Sequence, residues 1–101
     1  MKKYKTKLKY DFMEALVEIA DSTIKLYPVE TDDDRLFIAG LAEARSCLYK
    51  RLENYRLEYT VSFTPVQAFA LRLLHAARRI LNPYTANRLR QISDEVHKHY
   101  S

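Results

Sequence analysis

The sequence predicts an all-α fold, an antiparallel up-down four-helix bundle with a long second helix, on three observations. Residues 32–60 carry a hydrophobic stripe, Phe37, Leu41, Ala44, Leu48, Leu52, Tyr55 and Tyr59, at spacings of 4, 3, 4, 4, 3 and 4. Phe37, Leu48 and Tyr59 lie eleven apart, and an eleven-residue repeat holds one side of a helix with little supercoil. At about 1.5 Å per residue that helix would span roughly 43 Å, the spine of an elongated bundle. The second observation is scarcity: one glycine, Gly40, and three prolines leave few residues for β-turns or phosphate loops. The third is periodicity, read throughout as helical, with no strand-type alternation, internal repeat or low-complexity tract.

The elements follow in order. Residues 1–7 read as a flexible basic arm, and residues 8–101 as a single bundle domain. A first helix is expected from near Leu8 to about Tyr27, with Phe12, Leu16, Ile19 and Leu26 on its apolar arc and Glu14, Glu18, Asp21 and Lys25 opposite. Pro28 stops it, because the residue before a proline is steered away from helix. Thr31 and Asp34 then form a capping box, and Asp32, Asp33 and Asp34 set negative charge at the positive end of the helix dipole. The acidic triplet thus has a structural reason without calcium, whose loop needs a central glycine. The long helix is expected to stop near Thr60. Thr64-Pro65-Val66-Gln67 opens a third helix to Leu81, with Val66, Phe69, Ala70, Leu73, Ala77, Ile80 and Leu81 inward. Asn82-Pro83 separates it from a fourth, whose stripe is Leu89, Ile92, Val96 and Tyr100.

Several function classes are set aside. His97 and His99 stand two apart on a helix, so their side chains diverge, and no Glu-x-x-His pair is present for a bundle metal site. No metal or other cofactor is expected. Cys47 lacks a disulfide partner and lies near the core stripe, and no nucleophile motif or glycine-rich loop exists, so no catalytic residue is assigned and no enzyme is expected. No run of 18 apolar residues and no signal-type region are present, which makes a cytoplasmic protein, without membrane contact, the expectation.

Charge is more informative. The net +4 divides into five lysines without an acid over residues 1–10, a net of −5 over 11–62, and +4 over 63–101. Lys2, Lys3, Lys5, Lys7 and Lys9, interleaved with Tyr4 and Tyr10, can reach a phosphate backbone, with tyrosine stacking on unpaired bases. Arg72, His75 and Arg79 stack at spacings of 3 and 4 on the third helix, with Arg78 flanking and Arg88 beyond the Asn82-Pro83 corner. Helices this long around an Asn-Pro joint do not make a helix-turn-helix. On the far side of the long helix Ile38, Arg45, Tyr49 and Arg56 mark a second contact surface, for self-association or a partner.

The order of elements resembles the four-helix-bundle family of the ribosomal intervening-sequence proteins and the Avd accessory proteins of diversity-generating retroelements. The similarity lies in Tyr27-Pro28, then Arg35 and Leu41 opening a long helix, the leucine/arginine run from Ala70 to Leu81, and Arg88 to Val96 in the last helix. The resemblance implies a ring-like homo-oligomer, a basic surface binding RNA or DNA, and partnership with a reverse transcriptase. The expectation is a non-enzymatic, self-associating accessory protein; a protein–protein interaction module without nucleic acid is the alternative.

Overall fold

The computed structural model describes residues 2–77, 80 and 82–101. Among the described residues six elements succeed one another: β1 (Tyr4–Lys9), α1 (Tyr10–Leu26), α2 (Asp32–Arg51), β2 (Glu58–Phe63), α3 (Pro65–Ala77) and α4 (Pro83–His99). Four helices are present, but the all-α expectation is wrong. β1 and β2 pair as a two-stranded antiparallel sheet, and α2 is 20 residues long rather than running to Thr60.

Both corrections have one cause. Glu58-Tyr59-Thr60-Val61-Ser62-Phe63 alternates polar with aromatic or β-branched residues, the pattern of a half-buried strand. As a strand it turns Tyr59, Val61 and Phe63 into the core together; a helix would scatter them around its circumference. Tyr59 therefore belongs to the sheet, and Tyr55, which matches the helical spacing, is 66% exposed. The basic arm is corrected likewise. Tyr4-Lys5-Thr6-Lys7-Leu8-Lys9 alternates at the same period, and it pairs from Tyr4↔Phe63 to Lys9↔Glu58. Its inward Tyr4 stacks on Phe63 with ring centroids 6.4 Å apart, and Leu8 is fully buried. Burying a side chain such as Leu8 or Phe63 stabilises by about 1.5–3 kcal/mol, which is what fixes the strand to the bundle.

The helix boundaries follow local chemistry. Tyr27 has left the helix, with φ −69° and ψ 128°, as the following Pro28 requires. Thr31 and Asp34 make the reciprocal box, at 3.1 Å to the Asp34 N–H and 3.0 Å from the Thr31 N–H. Accepting from the backbone N–H groups of Glu30 and Thr31 lowers the Asp34 pKa below the ordinary carboxylate value. Thr64 and Gln67 repeat the box at α3, and Asn82 caps α4 through the Tyr84 and Thr85 N–H groups.

Contacts fix how the helices lie. Tyr27 meets Phe37 while Asp21 meets Arg45, so α1 and α2 run antiparallel. Gly40 of α2 faces Val66 and Ala70 of α3, where a Cβ would come within 3.1 Å of three atoms, Val66 O included. That glycine lets the two helices approach closely. The core runs through Leu16, Leu41, Leu48, Leu71, Leu74, Leu89 and Ile92, with the sheet's inner face closing one side. One face assignment is corrected in part: Ala70 is buried and Ile80 packs on the core as expected, but α3 also buries Ala68, Leu71 and Leu74, leaving Val66, Phe69 and Leu73 at 55%, 38% and 51% exposure. No helix among the described residues is long and apolar enough to cross a membrane.

Candidate nucleic-acid interface

Alternation along β1 has a direct consequence for charge. With Tyr4, Thr6 and Leu8 turned inward or half-inward, Lys5, Lys7 and Lys9 all stand exposed on the sheet's outer face. Two strand residues advance about 6.8 Å, so the three ammonium groups form a regular row rather than a random cloud. Register places Ser62, Thr60 and Glu58 of β2 opposite them. The outer face thus offers three cations, two hydroxyls and one carboxylate. Lys2 and Lys3 precede the strand and are exposed, and the Lys2 carbonyl accepts from the Tyr100 hydroxyl at 2.8 Å.

The basic surface continues past β2. A concavity of about 310 Å³ is lined by Lys50, Arg51, Asn54, Arg56, Glu58 and Thr60, with Tyr59 at its base. Lys50 and Arg51 sit in the last turn of α2, where cations meet the negative end of the helix dipole. Arg56 is held out by a pinned loop: the Tyr59 hydroxyl donates to the Asn54 carbonyl at 2.8 Å and accepts from the Arg56 N–H at 2.9 Å. Thr60 belongs both to this hollow and to the lysine face. Lys5, Lys7, Lys9, Lys50, Arg51 and Arg56 therefore flank one surface, which also carries the Glu58 carboxylate.

The remaining sequence-predicted residues divide. Arg88 is a fastener, not an open contact: its Nη2 donates to Thr6 Oγ1 at 3.0 Å and to the Lys7 carbonyl at 2.9 Å, and its Nη1 lies 3.7 Å from Glu95. The reason is strand geometry. Tyr10 N–H donates to the Leu57 carbonyl, extending the register, so the odd residues of β1 turn their backbone groups to the outer edge. Arg88 satisfies one of them. Tyr4 completes this clasp by donating to Glu95; burial first, then that hydrogen bond, pushes its pKa up to about 12. Buried Tyr4 offers no base-stacking face, whereas exposed Tyr55, edge-on to Tyr10 at 4.8 Å, does. Arg72 and His75 are half-buried on α3 and make no ion pair among the described residues, while Arg78 and Arg79 lie outside them.

The expected second contact surface is also redistributed. Ile38 packs half-buried on the core. Arg45 pairs with Asp21 of α1 and lies 5.1 Å from the Tyr49 ring centroid. Both belong to the α1–α2 seam, while Arg56 has left α2 for the loop beside β2. Sequence reasoning missed Lys50 and Arg51, whose signal, a cationic pair closing a helix, was averaged away inside a segment of net −5. No model of a known family, no curated protein and no solved structure matches the chain.

Proposed function

We propose that the outer face of the β1–β2 sheet and its neighbouring basic hollow bind nucleic acid, largely without regard to sequence. The observation that supports this is the continuity of Lys5, Lys7 and Lys9 with Lys50, Arg51 and Arg56 across Thr60. Ammonium and guanidinium groups neutralise phosphates and release their counterions, and hydroxyls such as those of Thr60 and Ser62 add hydrogen bonds to phosphate oxygens. Exposed Tyr55 in the loop before Arg56 favours a single strand, whose unpaired bases can stack on it. In this reading the chain performs no reaction and serves as accessory to an enzyme acting on nucleic acid, a reverse transcriptase being the partner the family resemblance implies.

Six cations on six phosphates give a log–log salt slope of about −4 for a single strand. Fluorescence anisotropy of a labelled oligonucleotide across a salt series tests this. Replacing Lys5, Lys7 and Lys9 by alanine together is expected to reduce the slope by about 2. Affinity independent of salt, or of those three residues, contradicts the reading.

A second reading draws on α3. Val66, Phe69 and Leu73 recur at spacings of 3 and 4 and stand exposed, with Leu36 of α2 also outward, which is the pattern of a protein contact. On that reading the chain docks a partner or a copy of itself through α3. Sedimentation of Phe69→Ser beside the parent chain separates the two: a change of mass on substitution favours the α3 contact, identical monomers count against self-association.

A further inference from the structure

Along the seam between α1 and α2, one stretch is filled by a cation and the next is not. At Asp21 the guanidinium of Arg45 pairs with the carboxylate and lies against the face of the Tyr49 ring, 5.1 Å from its centroid. One to two turns toward the α1 N-terminus, Glu18 and Glu14 repeat the carboxylate on the same side, about 4.5 and 10.5 Å further along the axis. Here Tyr49 and Glu53 line the α2 side of the seam, and no cation pairs with Glu14, Glu18 or Glu53 among the described residues. Instead there is an open groove of about 340 Å³, with Tyr10, Val17, Tyr49 and Leu52 as apolar walls and the three glutamates beside them. The Tyr10 phenol is raised in pKa, first by hydrogen bonding to the Glu14 carboxylate and then by burial and the Glu14 charge.

The geometry points to this groove as a docking site for a lysine- or arginine-bearing segment of a partner polypeptide, one cationic side chain entering where Arg45 has no counterpart. The chemistry fits such a side chain part by part. Its methylene stem is apolar and suits Val17 and Leu52. Its charged end suits the faces of Tyr10 and Tyr49 and the three carboxylates. A volume near the bottom of the roughly 300–1,000 Å³ range of ligand pockets is small for a cofactor and adequate for a long side chain. Because the groove is open along the seam, a chain can cross it while inserting one residue. The inference does not depend on the nucleic-acid reading, since the groove's charge is of the opposite sign.

The test is a titration of the isotope-labelled protein, in low salt, with a short capped peptide holding a central lysine. Its counterpart with norleucine in place of the lysine keeps the stem and loses the charge, and spermidine supplies amines without a peptide. Amide shifts centred on Tyr10, Glu18, Tyr49 and Glu53 with the lysine peptide, and not with the norleucine peptide, are the expected result. Tyr49→Ala is expected to weaken binding about fivefold, and the triple change Glu14→Gln, Glu18→Gln, Glu53→Gln at least tenfold. These positions are exposed or isosterically replaced, so folding is retained and the protein's own spectrum verifies it. Equal binding of both peptides would make this a plain apolar groove and overturn the proposal. So would spermidine binding more tightly than the peptide, or the same shifts appearing when the protein alone is concentrated, which would assign the groove to a second copy.

Discussion

Lys9 and Tyr10 are neighbours in the chain, yet they belong to surfaces of opposite sign. Lys9 closes the row of exposed lysines on β1, which merges with Lys50, Arg51 and Arg56. Tyr10 opens the α1–α2 groove, edged by Glu14, Glu18 and Glu53. Both surfaces use the end of α2: Lys50 and Arg51 serve one, while Tyr49, with Glu53 just past the helix, serves the other. Charge here is sorted by face as well as by stretch of sequence, since Lys50 and Arg51 part from Glu53 within one acidic stretch. A strand of period 2 sends every second residue outward, and a helix of period 3.6 sends every third or fourth to one side. Where the chain changes from strand to helix at Tyr10, the sign of the surface changes with it.

The largest expected effect comes from removing what holds both surfaces. Leu8 and Phe63 are fully buried on the sheet's inner face, and replacing either by alanine is expected to cost about 2–5 kcal/mol. Urea denaturation should show the loss, and the lysine row should lose its order with it. Next is the triple alanine variant of Lys5, Lys7 and Lys9, outward residues whose loss spares the core. Oligonucleotide affinity at low salt is expected to drop about 10–100-fold, with binding of a lysine peptide to the groove unchanged. If both decline together, the two surfaces are not separate.

A smaller effect is expected at the clasp. Arg88→Met keeps most of the apolar stem and removes the donors to Thr6 Oγ1 and the Lys7 carbonyl. A loss of about 1–3 kcal/mol follows from charged hydrogen bonds of this kind. Hydrogen exchange should rise at β1 amides before it rises in α2, which distinguishes an edge fastener from a general packing residue. The smallest expected effect lies far from both surfaces, at the α2 cap. The folded-state pKa of Asp34 is depressed, so its contribution is full above the unfolded value near 3.8 and fades as pH falls through the lower folded value. The stability gap between the parent and Asp34→Ala is therefore expected to narrow in urea denaturation as pH is taken from 6 toward 3, with neither binding surface affected.

What could be read from sequence was local. Thr31 with Asp34, Thr64 with Gln67, Tyr27-Pro28 and Asn82-Pro83 each act within a few residues, and each marks a helix boundary in the structure. The sheet was harder because its halves are remote, Tyr4 pairing with Phe63, and because Leu52, Tyr55 and Tyr59 continue a helical spacing by coincidence. Six residues of alternation compete poorly with a stripe of twenty or more. The inward face of α3 could not be chosen by period, since Val66, Phe69, Ala70, Leu71, Leu73 and Leu74 make it apolar nearly all round. The lysines of the candidate site were visible as composition, but not their alignment on a strand. Arg88 read as a free cation because nothing local announces a partner 82 residues away. The groove was invisible for the same reason, joining Glu14 and Glu18 to Tyr49 and Glu53 across the turn between two helices.

Shift mapping of the labelled protein with a short single-stranded oligonucleotide at low salt tests the central claim most directly. Perturbation of Lys5, Lys7, Lys9, Arg56 and Thr60 is expected, with Glu14, Glu18 and Tyr49 silent and the shifts reversed by added salt. Perturbation centred on the exposed side of α3, or none at any salt concentration, would contradict it.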